Sequence, residues 1–259
     1  RLNKSEMENK LRAILFENPF ILQSAAKDQV GYEGKPNSFT NRLLDLDINW
    51  ISLQDEMLRA RIKHELKADP FMSNKKLAKE LGYKGIESSF SGFLGKKRGK
   101  KRGKNIDLIG IKRDIVMAKI NEALSEGSSL KNPSLEKVKN RLGNKEMDKS
   151  TFLGRLGALG LKWSGLKQYI QLSVALQEAV EETNKSMGKV IESASIGGSA
   201  AYLPIDKAED IDIFVTLAKG DISVKEVKLD FEYFLMVQLG EPSDPLLKSI
   251  VIAIGGKEY

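Results

Sequence analysis

The chain has 259 residues, of which 41% are hydrophobic and 30% are charged, and its formal net charge is +7. It contains no cysteine and one histidine, so disulfides, zinc sites and Ser-His or Cys-His catalysis have no support. The absence of cysteine favours a reducing, intracellular setting (cytoplasm, nucleoid or nucleus, of cellular or viral origin). The chain has no run of about 18 apolar residues and no signal-peptide pattern, which predicts no membrane partner.

The charge is unevenly distributed along the chain. From Leu166 to Tyr259 there are nine lysines, no arginine and fifteen acidic residues, a net charge of −6. The first 165 residues therefore carry +13. This polarity predicts a basic region that binds nucleic acid, joined to an acidic region that binds metal.

Three related segments fill the basic region. The landmarks of the first recur 51 residues later in the second, and more loosely in a third. They are Asn18-Pro19-Phe20, Val30-Gly31-Tyr32 and Ser38-Phe39; then Asp69-Pro70-Phe71, Leu81-Gly82-Tyr83 and Ser89-Phe90; then Asn132-Pro133, Leu142-Gly143 and Thr151-Phe152. A repeat of this length predicts three copies of one supersecondary unit, over residues 1–51, 52–105 and 106–165.

Each unit is predicted to begin with a helix, over Glu6–Phe16, Leu53–Leu66 and Lys112–Leu124. In the second unit, Ser73 is a suitable N-cap for a helix over Asn74–Leu81, and Gly82 stands where that helix would stop. A further helix is expected over Ile86–Leu94, with Ile86, Phe90, Phe93 and Leu94 on one apolar face. This layout predicts a helix-turn-helix, whose last helix is presented to a DNA groove.

The aromatic residues recur at fixed positions in the units. This regular spacing predicts core positions rather than base-stacking platforms for Phe39, Phe90, Phe152, Trp50 and Trp163.

A cationic run follows the second unit's last helix. Seven cations fall within nine residues: Lys96, Lys97, Arg98, Lys100, Lys101, Arg102 and Lys104. We expect them to contact phosphates as a wing or arm, with a solvated loop or a nuclear-localisation signal as the alternative. In the third unit Arg155 is the side chain suited to contact bases or phosphates. The first unit ends in Asp45 and Asp47, which favours a protein partner there instead of DNA.

The acidic region holds a second pattern. A long helix over Lys167–Met187 leads to a strand over Val190–Ile196 and then to a turn made of Gly197, Gly198 and Ser199. Backbone N–H groups that no side chain covers, together with a hydroxyl, are suited to binding phosphate. The next apolar run contains Asp210 and Asp212, which share one face if it is a strand. Adjacent carboxylates repel unless a cation neutralises them, and Mg²⁺ or Mn²⁺ suits oxygen ligands.

Two further strands are predicted downstream. Val227–Phe234 would carry Asp230, with Glu232 as a reserve, and Ser249–Ile254 would close the sheet.

The Gly198-Ser199 turn followed by Asp210-Ile211-Asp212 resembles the signature of the DNA polymerase β-like nucleotidyltransferases over about 90 residues, 166–259. The resemblance implies a small mixed sheet with helices, and divalent metal ions held by Asp210, Asp212 and Asp230. It implies that Gly197, Gly198 and Ser199 grip the phosphates of a nucleoside triphosphate. Ala200-Ala201 departs from the family, in which a basic or polar residue often follows the serine. The family's fold usually continues past the last strand, so we expect a minimal version or a domain that extends beyond Tyr259.

The expected fold class is therefore α+β: three tandem helix-turn-helix-like units and a nucleotidyltransferase-like domain. The expected function is metal-dependent transfer of a nucleotide to an acceptor hydroxyl, with nucleic acid, DNA more than RNA, docked on the helical units. The alternative is a DNA-binding regulatory or replication protein whose last domain is catalytically inactive. The sequence indicates no particular protein partner.

Overall fold

The computed structural model describes residues 2–86, 89–95, 104–126, 130, 132–196, 211–218 and 223–239, together with the backbone of 197 and 250–255. The chain divides into two compact units, Arg1–Ile115 and Val116–Tyr259. Helices dominate the described part and a small sheet lies near its end, so the α+β fold class is confirmed.

The helices and strands follow one another in a regular order. In chain order they are α1 (Lys4–Glu17), α2 (Gln23–Val30), α3 (Pro36–Asp45), α4 (Trp50–Ala68), α5 (Asn74–Glu80), α6 (Phe90–Leu94), α7 (Leu108–Ser125), α8 (Leu135–Arg141), α9 (Lys149–Ala158), α10 (Trp163–Met187), β1 (Ile191–Gly197), β2 (Ile211–Leu217), α11 (Val224–Leu239) and β3 (Ile250–Gly255). Each of the three related segments thus has one long helix and two shorter ones. We call α1–α3, α4–α6 and α7–α9 repeats 1, 2 and 3.

A left-handed glycine ends the second helix of every repeat. Gly31, Gly82 and Gly143 have φ angles of +81°, +70° and +76°. In each case the glycine N–H and the next N–H bond back to carbonyls of the preceding helix. Only glycine adopts this conformation without steric cost, so the same residue recurs wherever the chain must reverse between the two short helices.

The third helix of each repeat contributes one fully buried ring. Phe39, Phe90 and Phe152 are all 0% exposed, which confirms their predicted place in the core. In repeats 1 and 2 a tyrosine next to the left-handed glycine contacts this ring, with centroids 5.2 Å apart for Tyr32–Phe39 and 5.1 Å for Tyr83–Phe90. The two tryptophans, Trp50 and Trp163, are only half-buried.

The long helix α4 serves two cores. Its first turns place Leu53 and Met57 in the core of repeat 1, and its later turns place Leu58, Ile62 and Leu66 in the core of repeat 2. Because one rigid helix belongs to both cores, the two repeats form a single compact unit rather than two linked domains.

The sheet lies in the compact unit Val116–Tyr259; it is mixed and has the order β1-β2-β3. Strand β2 pairs antiparallel with β1 and parallel with β3. Ile211, Ile213 and Val215 of β2 are buried in one cluster with residues of α10 and α11. These helices therefore cover one face of β2, and the residues between those three face the other way.

Two expectations about local structure are wrong. The predicted strand over Val227–Phe234 is part of α11, and Val227, Phe231 and Leu235 are its buried residues. These buried residues are four positions apart, which is the spacing of one helix face. The eight residues of the predicted strand fit both the two-residue period of a strand and the 3.6-residue period of a helix. The helix expected over Ile86–Leu94 begins only at Phe90, and Ile86 is 77% exposed instead of lying on an apolar face.

We predict opposite effects for alanine at two open glycines of the helical repeats. A Cβ on Gly82 or on Gly154 would meet no atom within 4 Å, so the backbone conformation is what differs between them. Gly82→Ala should lower the free energy of unfolding by about 1–2 kcal/mol, because φ is +70° there. Gly154→Ala, inside α9, should raise it by up to about 1 kcal/mol.

Urea denaturation of the two variants beside the wild type measures both changes. Equal changes of one sign would contradict the left-handed turn at Gly82.

Candidate functional site

The residues just before and just after the cationic run of repeat 2 are hydrogen-bonded to each other. The N–H groups of Lys104, Asn105 and Ile106 donate to the carbonyls of Phe93, Gly95 and Leu94 at 2.9, 3.3 and 2.7 Å. The two ends of segment 96–103 are therefore held side by side, at the end of α6. We call this segment the basic loop; its residues, including Lys96, Lys97, Arg98, Lys100, Lys101 and Arg102, lie outside the described part of the chain.

Side chains of α4 anchor the returning end of the basic loop. The Nζ atom of Lys104 lies 2.5 Å from Oδ1 of Asp55, and the guanidinium of Arg59 donates to the Asn105 carbonyl at 2.9 Å. The Lys104 side chain is only 20% exposed. Its charge is already compensated, so we remove Lys104 from the set of expected phosphate contacts and assign it an anchoring role.

The exposed face of α6 offers little to read bases. This helix has five residues, and its exposed members are Ser91 and Gly92. The Ser91 hydroxyl also accepts a hydrogen bond from Asn74 at 2.8 Å. Direct readout of bases uses long polar side chains in the major groove, which these residues are not. In repeat 3, Arg155 is exposed on α9 and keeps its place as a candidate contact.

The sheet brings two parts of the nucleotidyltransferase-like motif together. The Cα atoms of Gly197, the last residue of β1, and Asp212 of β2 are direct partners in the antiparallel ladder. Gly198, Ser199 and Asp210 lie outside the described residues. Gly197 thus lies beside Asp212 in the sheet, although fifteen positions along the chain separate them.

Asp212 faces away from the helices. Its strand neighbours Ile211 and Ile213 are buried on the helix-covered face, whereas Asp212 is half-buried and Phe214, two residues on, is 48% exposed. Ser195 pairs with Phe214 and is exposed as well. We call this side of the sheet the open face. It is polar where Gly197, at the end of β1, pairs with Asp212, near the start of β2.

Asp230 does not join this group. It lies on α11, which packs on the opposite face of β2 through Val227 and Phe231. Its Oδ2 atom is buried and has no hydrogen-bond partner. The reserve residue Glu232 is on the same helix and pairs with Lys228 at 3.6 Å. Asp230 therefore does not lie beside Asp212, where the expected site for two metal ions needs its third carboxylate.

The strand next to Asp212 offers no replacement for that third carboxylate. In the parallel pair the Cα partner of Asp212 is Val251, and β3 reads IVIAIG, without an acidic residue. Within the described ranges, no three His, Cys, Asp or Glu side chains are grouped so that they could hold a metal ion. A three-carboxylate metal centre does not fit the residues that the structure describes.

Among the described residues, no helix is long and apolar enough to cross a membrane. Comparison with protein-family models, with curated proteins and with solved structures finds no match to this chain.

Proposed function

We propose that this protein binds nucleic acid, DNA in preference to RNA, through the basic loop of repeat 2. The observation that supports this most is that both ends of the loop are held in place. Backbone hydrogen bonds join the two ends, and Lys104 and Asn105 contact side chains of α4. Six cations lie between the pinned ends, with no acidic residue among them. A loop with fixed ends loses less conformational entropy on binding than a free tail with the same charges.

Binding of this kind follows the phosphates and depends little on base sequence. The six loop cations are ammonium or guanidinium groups that follow α6 in the sequence, and the exposed residues of α6 are serine and glycine. Phosphate contacts position a protein on a duplex without reading it. We therefore propose sequence-tolerant binding with a steep dependence on salt.

We predict that Lys100→Gln, Lys101→Gln and Arg102→Gln together weaken binding to a short random-sequence duplex. Removing three phosphate contacts should reduce the slope of log K against log[salt] by about 3, since each contact contributes roughly 0.9. Fluorescence anisotropy at several salt concentrations measures both the affinity and the slope.

The matched control removes three exposed cations elsewhere in the same unit: Lys63→Gln, Lys67→Gln and Lys79→Gln. It changes the net charge equally and should change the slope by less than half as much. Equal effects of the two triple variants would mean that overall charge, not the loop, drives binding.

We propose a second function for the open face of the sheet: binding of a nucleoside triphosphate with a divalent ion, without nucleotidyl transfer. The pairing of Gly197 with Asp212 supports it, because phosphate and metal ligands are needed side by side. Transfer in the family that this motif resembles uses a third carboxylate, and neither Asp230 nor β3 supplies one on this face. The protein would thus be a DNA-binding regulatory or replication protein with an inactive nucleotidyltransferase-like domain.

Two aspartate variants separate these roles. Asp212→Asn should weaken binding of a fluorescent ATP analogue with Mg²⁺ at least tenfold. Asp230→Leu should leave that affinity unchanged, and should raise the free energy of unfolding by about 1–3 kcal/mol, because a buried oxygen without a partner is removed. Glu232→Gln, on the same helix, should change stability by less than about 0.5 kcal/mol.

Fluorescence titration and urea denaturation provide these values. Loss of Mg²⁺–nucleotide binding in a folded Asp230→Leu variant would restore the three-carboxylate site. Incorporation of labelled nucleotide that Asp212→Asn abolishes would restore the transferase function.

A further inference from the structure

Repeat 1 exposes a group of large apolar side chains. Leu22, Leu44 and Ile51 are 73%, 69% and 63% exposed. Leu44, Ile51 and the half-buried Trp50 line one cavity of about 330 Å³, and Gln23, the neighbour of Leu22, lines it too. We call Leu22, Leu44, Trp50 and Ile51 the repeat-1 patch. A cavity of this volume accommodates a large side chain of a binding partner.

Leu22 stands where the other repeats have a helix cap. It is the N-cap residue of α2 and makes no side-chain hydrogen bond there. Ser73 and Ser134 hold the same position before α5 and α8, and the hydroxyl of each accepts a backbone N–H of its helix. Leucine at an N-cap stabilises a helix less than serine does. Repeat 1 therefore gives up a capping interaction and exposes an apolar side chain in its place.

The other two exposed residues follow the same pattern. Five residues after the buried phenylalanine, repeat 1 has Leu44, whereas repeats 2 and 3 have Gly95 and Gly157. After the first tryptophan comes Ile51, whereas the exposed Ser164 follows Trp163. The common core does not require aliphatic side chains here, because the sister positions are occupied by glycine or serine.

The rim of the cavity is acidic. Among the described residues that line it, Asp47 is the only charged one, and its side chain is 97% exposed. Asp45 follows Leu44 in the chain and is exposed, but it lines a different cavity. The contact of Asp47 with Lys4 at 3.2 Å joins two exposed side chains and contributes little. The Asp47 carboxylate at the rim disfavours phosphate and favours a cationic partner.

We infer that the repeat-1 patch docks a protein segment that places an aliphatic or aromatic side chain in the cavity and a lysine or arginine against Asp47. Apolar anchors beside a complementary charge are the mode by which amphipathic helices bind grooves. The inference is independent of the proposed nucleic-acid binding, which concerns repeat 2. Under this proposal, repeats 1 and 2 have the same core but bind different partners.

Trp50 provides a local readout of binding. In a Trp163→Phe background it is the one tryptophan, because the chain has two. The probes are short amphipathic peptides with leucine and phenylalanine on the apolar face and lysine on the polar face. They contain no tryptophan, so that the emission comes from Trp50. Matched peptides carry glutamate in place of lysine. We expect the lysine peptides to shift Trp50 emission and the glutamate peptides to bind at least tenfold more weakly.

Ile51→Ser is the decisive variant, because Ile51 lines the cavity, and it should weaken the lysine peptides at least tenfold. Asp47→Asn should remove most of the preference for lysine over glutamate. Leu22→Ser should raise the urea midpoint through the new cap and weaken the lysine peptides less than Ile51→Ser does. Ser164→Ala, at the sister position, should leave binding unchanged.

Four results would overturn the proposal. The first is no Trp50 shift with any lysine peptide, and the second is unchanged affinity in Leu22→Ser and Ile51→Ser. The third is a concentration-dependent dimer that Ile51→Ser dissolves, which would make a second copy the occupant. The fourth is a Trp50 shift with duplex DNA that depends on Ile51.

Discussion

The helical part of this protein depends on one repeated constraint: a left-handed glycine that turns the chain so that a phenylalanine enters the core. Gly31, Gly82 and Gly143 all have φ near +75°, and Phe39, Phe90 and Phe152 all lose their solvent exposure completely. An L-residue with a side chain is strained at such a φ angle, so the turn and the buried ring persist together. The boundaries of the short helices follow from this pair.

The same interior supports different exteriors. Repeat 1 has leucine and isoleucine at exposed positions beside two aspartates, and repeat 2 carries a cationic loop pinned at its base by α4 and α6. Repeat 3 has exposed glycines and Arg155 on its third helix. Because core packing is satisfied by the conserved spacing within the chain, the exposed residues are free to serve different partners. In the helical region, segment 96–103 has six cations and no acidic residue.

Much of this architecture could be predicted from the sequence. The long helices, the Ser73 cap and the glycine turn at Gly82 could be predicted because each depends on chemistry local to a few residues. Strand β1 was predicted within one residue at each end, and the apolar run that contains Asp212 does form a strand. The error at Val227–Phe234 arose because alternating apolar residues satisfy a strand over eight residues, and only the sixteen residues of α11 reveal the helical period.

The partners of charged side chains were beyond sequence reasoning. Nothing in the cationic run marks Lys104 as different from its neighbours, yet Asp55, 49 positions earlier, neutralises it. Likewise, the side of the sheet on which Asp230 lies depends on how α11 packs against β2. Such contacts are long-range, and no local pattern encodes them. The repeat-1 patch, by contrast, could have been found by aligning the repeats and asking which positions gain apolar side chains.

The central claim is that the pinned basic loop of repeat 2 is the nucleic-acid contact. Hydrogen exchange of the full chain, with and without a short DNA duplex at low salt, tests it most directly. The account predicts that added protection is greatest in peptides that cover residues 93–106, with little change at β1 and β2. Protection confined to other parts of the chain, with none in those peptides, would contradict it.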